Sequence, residues 1–154
     1  MSNETKFYIA YGSNLNVPQM RVRCPNATPY ATGEMRDHQL AFRGNKSRAY
    51  LTIEPCKGKS VPIVVWKVTP KDERNLDMYE GYPTLYDKIN VNLSDDMVGF
   101  TYVMNEVFNV GAPTEQYLNT CLEGYEYFGF DKEILLSANK LNNVKNKNVE
   151  ISIH

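Results

Sequence analysis

The run Val61–Val68, "VPIVVWKV", places the tightest limit on what this chain can fold into, because only Pro62 and Lys67 interrupt its apolar residues. A strand with one face in water alternates apolar and polar side chains, so a near-continuous run predicts a strand covered on both faces. Cover of that kind in a chain of 154 residues points to one sheet with helices against it, and 1–154 is read as a single domain.

Shorter strand signals lie on either side. "FYIAY" opens the chain, and "HQLAFRG" and "AYLTIEP" are each bounded by glycine or proline. "PNATPYATGE", with two prolines and a glycine, reads as a loop. Further on, "YDKINVNL" sets Ile89, Val91 and Leu93 against Lys88, Asn90 and Asn92, and after "SDDM" a second alternating strand carries Val98, Phe100, Tyr102 and Met104. The two are expected to pair as an antiparallel hairpin.

Four helices are predicted. "NVPQMRVR" has Asn16 as N-cap and Pro18 in the first turn. "TPKDERNLDMYEGYP" has Thr69 as cap, Pro70 at the first position, Asp72 and Glu73 where the helix dipole favours anions, and Gly81 and Pro83 as stops. "PTEQYLNTCLEGYEYFG" places Tyr117, Leu118, Cys121, Leu122 and Tyr125 on one stripe, and "DKEILLSANKL" is a shorter helix capped by Asp131. The tail "NNVKNKNVEISIH" is polar until a brief β-type end. The fold class is α+β: one mixed or antiparallel sheet, strongly curved or closed, with helices packed outside it.

Composition narrows the function. A net charge of −1 gives no general attraction to nucleic acid or to a membrane surface, and no apolar run is long enough to cross a bilayer. Residues 1–66 carry nine Lys/Arg against four Asp/Glu, and residues 67–154 carry eight against fourteen. That asymmetry suits a small anionic ligand near the N-terminal half, or reflects surface composition alone. Cys24, Cys56 and Cys121 lack CxxC spacing and read as reduced thiols, consistent with a cytoplasmic protein. With only His38 and His154, a multi-histidine metal site is excluded.

Two places could carry chemistry. The first strand ends abruptly at Tyr11-Gly12-Ser13-Asn14, before its alternation is complete. Backbone N–H groups in a tight turn leading into a helix make a concave anion site, and glycine admits close approach to the main chain. An ordinary turn followed by a helix cap explains the same four residues. The second place is Glu80, at the end of its helix, where the dipole repels negative charge, and beside Tyr79, Gly81, Tyr82, Pro83 and Leu85. Burial there would raise its pKa and suit a general base; a solvated surface glutamate is the bland alternative. Tyr86 and Tyr125 are further candidates for a ligand pocket.

The order "YGSNL", "LAFRG", "AYLTIEP", "VVWKVT", "LDMYEGYP..Y" and "P..QYL...LEGYEYFGF" resembles the γ-glutamylcyclotransferase family, including its γ-glutamylamine cyclotransferase and AIG2-like members. The resemblance implies a small mixed, largely antiparallel β-barrel with flanking helices and an active site at its mouth. It implies a 5-oxoproline-forming lyase or acyltransferase in which Tyr11, Gly12, Ser13, Asn14 and Leu15 hold the γ-glutamyl head and Glu80 is the acid/base, with Tyr86 and Tyr125 at the substrate. It further implies a small-molecule γ-glutamyl substrate, no cofactor or metal, and a monomer or homodimer without nucleic-acid or membrane partners. The Glu-Gly-Tyr-Pro form lies closer to the γ-glutamylamine and AIG2-like branches, which leaves the leaving amine open. A non-catalytic binding domain on the same barrel and a hydrolase using Glu80 to activate water are the competing readings.

Overall fold

The computed structural model describes residues 5–94, 96–105 and 108–139. Strand β1 spans Lys6–Ala10, β2 Thr28–Asn45, β3 Arg48–Val68, β4 Tyr86–Ser94 and β5 Met97–Met104. Helix α1 spans Val17–Arg23, α2 Pro70–Glu80 and α3 Glu115–Phe128, and α4 covers 132–139. The sheet order is β2-β3-β1-β5-β4, antiparallel throughout except where β1 lies parallel to β5 with Tyr8 opposite Phe100. This is the expected α+β class with helices flanking a mostly antiparallel sheet.

The expected closure of the sheet is not found. Among the described residues β2 and β4 remain unpaired edges, and between them lies a groove of about 840 Å³ floored by Ile63 and Val65. The far half of β2 is instead covered by the segment after β5, with Gly44 N–H donating to the Asn109 carbonyl and Gly111 N–H to that of Phe42.

Two strand boundaries also need correcting. "PNATPYATGE" is a loop only as far as Ala27; from Thr28 it is strand, paired from Thr28–Lys67 through Arg36–Ser60. Its proline and glycine are tolerated because this stretch is a sheet edge and is bulged, with register shifts at Pro29/Ala31 and Arg36/His38. For the same reason "AYLTIEP" and "VPIVVWKV" are not separate: β3 runs 21 residues through both. The doubly covered run is as its pattern demands, since Val61, Val64, Trp66 and Val68 are buried and Lys67 alone is exposed. The β4–β5 hairpin pairs Tyr86 with Met104 through Ser94 with Met97, although Ile89 stands largely in solvent.

Helix α2 starts as its sequence prescribes. Thr69 Oγ1 accepts the Asp72 N–H and Asp72 Oδ2 accepts the Thr69 N–H, each at 3.1 Å, which satisfies two orphan donors reciprocally. It stops at Gly81, whose φ of 68° is the left-handed cap conformation. Lys88 fixes the helix to the sheet through Glu73 at 2.7 Å and Asp77 at 2.8 Å, and Lys6 reaches Glu73 at 2.7 Å. Helix α4 is capped by Asp131, whose Oδ1 accepts the Glu133 N–H at 3.0 Å. The polar tail and its β-type end lie outside the described residues.

Candidate functional site

β1 ends at Ala10, and Tyr11 and Gly12 carry the chain into a single 3-10 turn, Ser13–Leu15. Asn16 then opens α1: its Oδ1 accepts the Gln19 N–H at 3.2 Å while its amide donates to the Thr120 carbonyl and Glu123. Helix α3 presses the turn from outside. A Cβ at Gly124 would lie 2.5 Å from Leu15 Cβ and 2.7 Å from its carbonyl carbon, so a hydrogen there is what permits the contact.

Within the turn the Leu15 N–H bonds the Gly12 carbonyl and the Asn16 N–H that of Ser13, both at 3.0 Å. The backbone N–H groups of Gly12, Ser13 and Asn14 have no partner among the described residues. These three residues line a narrow notch of about 20 Å³ together with Tyr8, Tyr11, Leu51, Glu80, Tyr86 and Tyr117. It holds one water-sized polar group. The notch adjoins an open polar cleft of about 310 Å³ that shares Ser13 and Tyr117 with it.

Glu80 closes α2 at the edge of this notch. Its carboxyl has no hydrogen bond or ion pair with any described residue. Burial pushes its pKa up to about 7, against the opposing pull of the Arg23 cation. A carboxyl poised there, with both oxygens free to accept a proton, has the properties of a general base at neutral pH.

The tyrosines around it are fixed and neutral. Tyr86 Oη donates to the Leu51 carbonyl and Tyr11 Oη to that of Tyr102, both at 2.6 Å, and Tyr117 Oη accepts the Leu51 N–H at 3.1 Å. Burial first, then the nearby Glu80 charge, holds Tyr8 and Tyr11 well above the ordinary phenol range. On the open side Arg23 lies flat on Tyr79, with its guanidinium carbon 3.4 Å from the ring centroid, and binds Asn14 Oδ1. Tyr79 Oη meets Ser13 Oγ at 3.1 Å, and Asn14 Nδ2 donates to Tyr8 Oη at 2.8 Å. The turn, α1 and the end of α2 are thus tied together around Glu80.

Residues 8–126 match the family described as gamma-glutamyl cyclotransferase, AIG2-like. The chain belongs to this family. Among its relatives, a gamma-glutamylcyclotransferase of Bos taurus is 29% identical over 90% of this chain and 79% of its own length. Another from Homo sapiens is 27% identical over 84% and 75%. A solved gamma-glutamyl cyclotransferase structure superposes with a TM-score of 0.75 at 27% identity, covering 84% of this chain and 83% of that one. Such likeness supports an enzyme of the gamma-glutamylcyclotransferase family.

Most of the residues expected at a cyclotransferase site are brought together here: Tyr11, Gly12, Ser13, Asn14, Glu80 and Tyr86 all line the notch. Leu15, Tyr125 and Tyr86 are placed as follows. Leu15 is fully buried and its N–H is committed to the Gly12 carbonyl. Tyr125 is buried against Phe130 and does not line the notch, because it lies about two turns further along α3 than Tyr117. Tyr86 is buried in the notch wall with its hydroxyl held by the Leu51 carbonyl. Tyr8, Tyr79, Tyr117 and Arg23 were not singled out from the sequence. Tyr117 shares a helix stripe with Tyr125, and only its place one turn into α3, beside Leu51, separates the two.

Burial pushes Cys24 and Cys121 up to about 12, and neither lines the notch. His38 lines the wide groove instead. Among the described residues no group of three His, Cys, Asp or Glu side chains could hold a metal ion.

Proposed function

We infer that the protein cyclises a γ-glutamyl compound, releasing 5-oxoproline and an amine, with Glu80 as general acid/base. The observation that carries this reading is the unpartnered Glu80 carboxyl, its pKa near 7, in a notch bordered by the three free N–H groups of Gly12, Ser13 and Asn14.

In this reading the substrate's ammonium enters the notch and gives a proton to Glu80. The freed amine attacks the γ-carbonyl carbon of the same molecule, forming the five-membered lactam. The bond from that carbon to the leaving nitrogen then breaks as Glu80 returns the proton to the departing nitrogen, and the second proton of the ring nitrogen passes by way of Glu80 to the released amine, which departs as an ammonium. Atoms and charge balance without a further reactant. Since nucleophile and electrophile share one molecule, orientation supplies most of the rate, and the turn N–H groups on the α-carboxylate would fix the ring-closing rotamer. Leaving amine and remaining carbons lie in the adjoining cleft.

Because Glu80 must be ionised to accept the proton, kcat/KM should fall as pH drops below about 7. The decisive assay is 5-oxoproline release from a γ-glutamyl amino acid, γ-glutamyl-ε-lysine, an N-acetylated analogue and an α-glutamyl isomer. The first two should react to some extent and the last two should not, since one lacks the nucleophile and the other presents it to the wrong carbonyl. Free glutamate without 5-oxoproline would replace cyclisation by hydrolysis. Inertness of the whole set would make the domain a binding module.

A further inference from the structure

The open cleft beside the notch has one charged side chain among the described residues lining it, Arg48. The rest are hydroxyls, amides and aromatic rings, among them Gln19, Tyr50, Thr114, Gln116 and Thr120. Arg48 begins β3 directly after the tight turn that joins it to β2, opposite Asn45. It is exposed, and no described acidic residue pairs with it. In this it differs from Arg43 in the same hairpin, which is paired with Glu54, and from Arg23, which is engaged with Asn14 and Tyr79.

The path from the notch to Arg48 is continuous. Tyr117 lines both spaces, and its ring meets Tyr50 edge-on with centroids 5.1 Å apart. Tyr50 and Arg48 are two residues apart on one strand, so their side chains leave the same face. A molecule with its ammonium at Glu80 therefore has its other end directed along Tyr117 and Tyr50 toward an uncompensated cation.

Resting on the reading of Glu80 given above, we propose that this cleft is the leaving-group subsite and that Arg48 selects a leaving amine bearing a carboxylate. The substrate class is then a γ-glutamyl amino acid or short γ-glutamyl peptide, in preference to a γ-glutamyl derivative of an uncharged amine. A guanidinium offers a planar fork of donors that matches a carboxylate, and a neutral amide in the same place would gain only an ordinary hydrogen bond. Since Arg48 is solvent-exposed, the discrimination is modest and falls with ionic strength.

The test compares γ-L-glutamyl-L-alanine with γ-L-glutamyl-L-alaninamide, which differ only in that carboxylate. The parent protein should favour the acid by at least about threefold in kcat/KM at low salt. In Arg48→Gln the ratio should fall to near one through loss on the acid, and Arg48→Lys should keep part of it. Equal rates in the parent would overturn the proposal. So would an Arg48→Gln variant that loses both substrates alike, since Arg48 would then serve the glutamyl head.

Binding of glutaryl-L-alanine and its amide, which lack the α-amine and cannot cyclise, is read by calorimetry alongside. If neither γ-glutamyl compound reacts, the role of Glu80 fails. Preference for glutaryl-L-alanine that disappears in Arg48→Gln would still uphold the subsite, and no preference would overturn it.

Discussion

Two hollows in this molecule could not be more unequal. The groove between β2 and β4 encloses about 840 Å³, and the notch at Glu80 about 20 Å³. Apolar side chains from both edge strands line the groove, and its one imidazole, His38, has its Nδ1 beside the Arg36 carbonyl. The notch contains an unpaired carboxyl and three unpaired N–H groups. Polar groups shielded from water ordinarily find partners, so free N–H groups beside a half-buried, unpaired carboxyl suit a polar ligand. Volume alone would choose the groove over the notch.

The largest expected effect breaks the comparison outright if it fails. Glu80→Gln keeps the size of the side chain and removes the proton acceptor, so 5-oxoproline release should drop by about 10²–10⁴-fold with little change in KM. A fall of less than about tenfold would move the acid/base elsewhere.

Gly12→Val tests the other wall of the notch. A Cβ there would sit 3.3 Å from Leu51 Cδ1 and 3.5 Å from Tyr117 Oη, so two further methyl groups fill a space that holds one small group. Overpacking of this kind costs about 1–3 kcal/mol, and kcat/KM should fall by at least about tenfold while the protein still folds. Parental kinetics would show that the turn is only a connector.

Glu80 also leaves a trace in stability, which separates it from any group in the groove. Its pKa is near 7 in the folded protein and 4.5 for the free side chain, so the native state holds a proton over that interval that the unfolded chain has released. Stability therefore falls as pH rises from about 4.5 to about 7, by up to about 3 kcal/mol. Glu80→Gln has no proton to lose and should be more stable than the parent at pH 8, with the gain vanishing near pH 4.5. Denaturant midpoints at the two pH values decide it; equal gains at both would show that the carboxyl is not shielded.

How much of this was legible beforehand divides along physical lines. Helix α2 could be read entire, because Thr69, Pro70, Asp72 and Gly81 each act within a few residues of themselves. Glu80 and the turn at Gly12 stood out as local anomalies: a carboxylate on the wrong end of a dipole and a strand that stops early. The long β2–β3 ladder was not legible, since Pro29 and Gly33 signal a loop and only pairing with β3 overrides them. Arg23, Tyr8 and Tyr117 were missed for a related reason. Tyr8 and Tyr117 reach the notch, and Arg23 its Asn14 wall, from three different elements, and nothing in the sequence near any of them refers to the other two.

Tyr125 sharpens that last point, and its replacement should have the smallest effect. Read along the chain it is as good a site residue as Tyr117: the two are eight residues apart on α3, on the same helical stripe. In the fold Tyr117 Oη accepts the Leu51 N–H at the notch, whereas Tyr125 Oη is buried with no partner among the described residues. A hydroxyl buried without a partner costs about 1–3 kcal/mol, so Tyr125→Phe should leave stability unchanged or raise it by about 1 kcal/mol. Tyr117→Phe should instead lose a bond to a buried N–H and lower stability by about 1 kcal/mol. In kinetics Tyr125→Phe should match the parent within about twofold, as an internal change far from the reacting atoms does. Thermal midpoints and 5-oxoproline release on the two variants make the contrast. If Tyr125→Phe slowed turnover more than Tyr117→Phe, the stripe would reach the substrate through its far end, and the notch would have been drawn on the wrong side of α3.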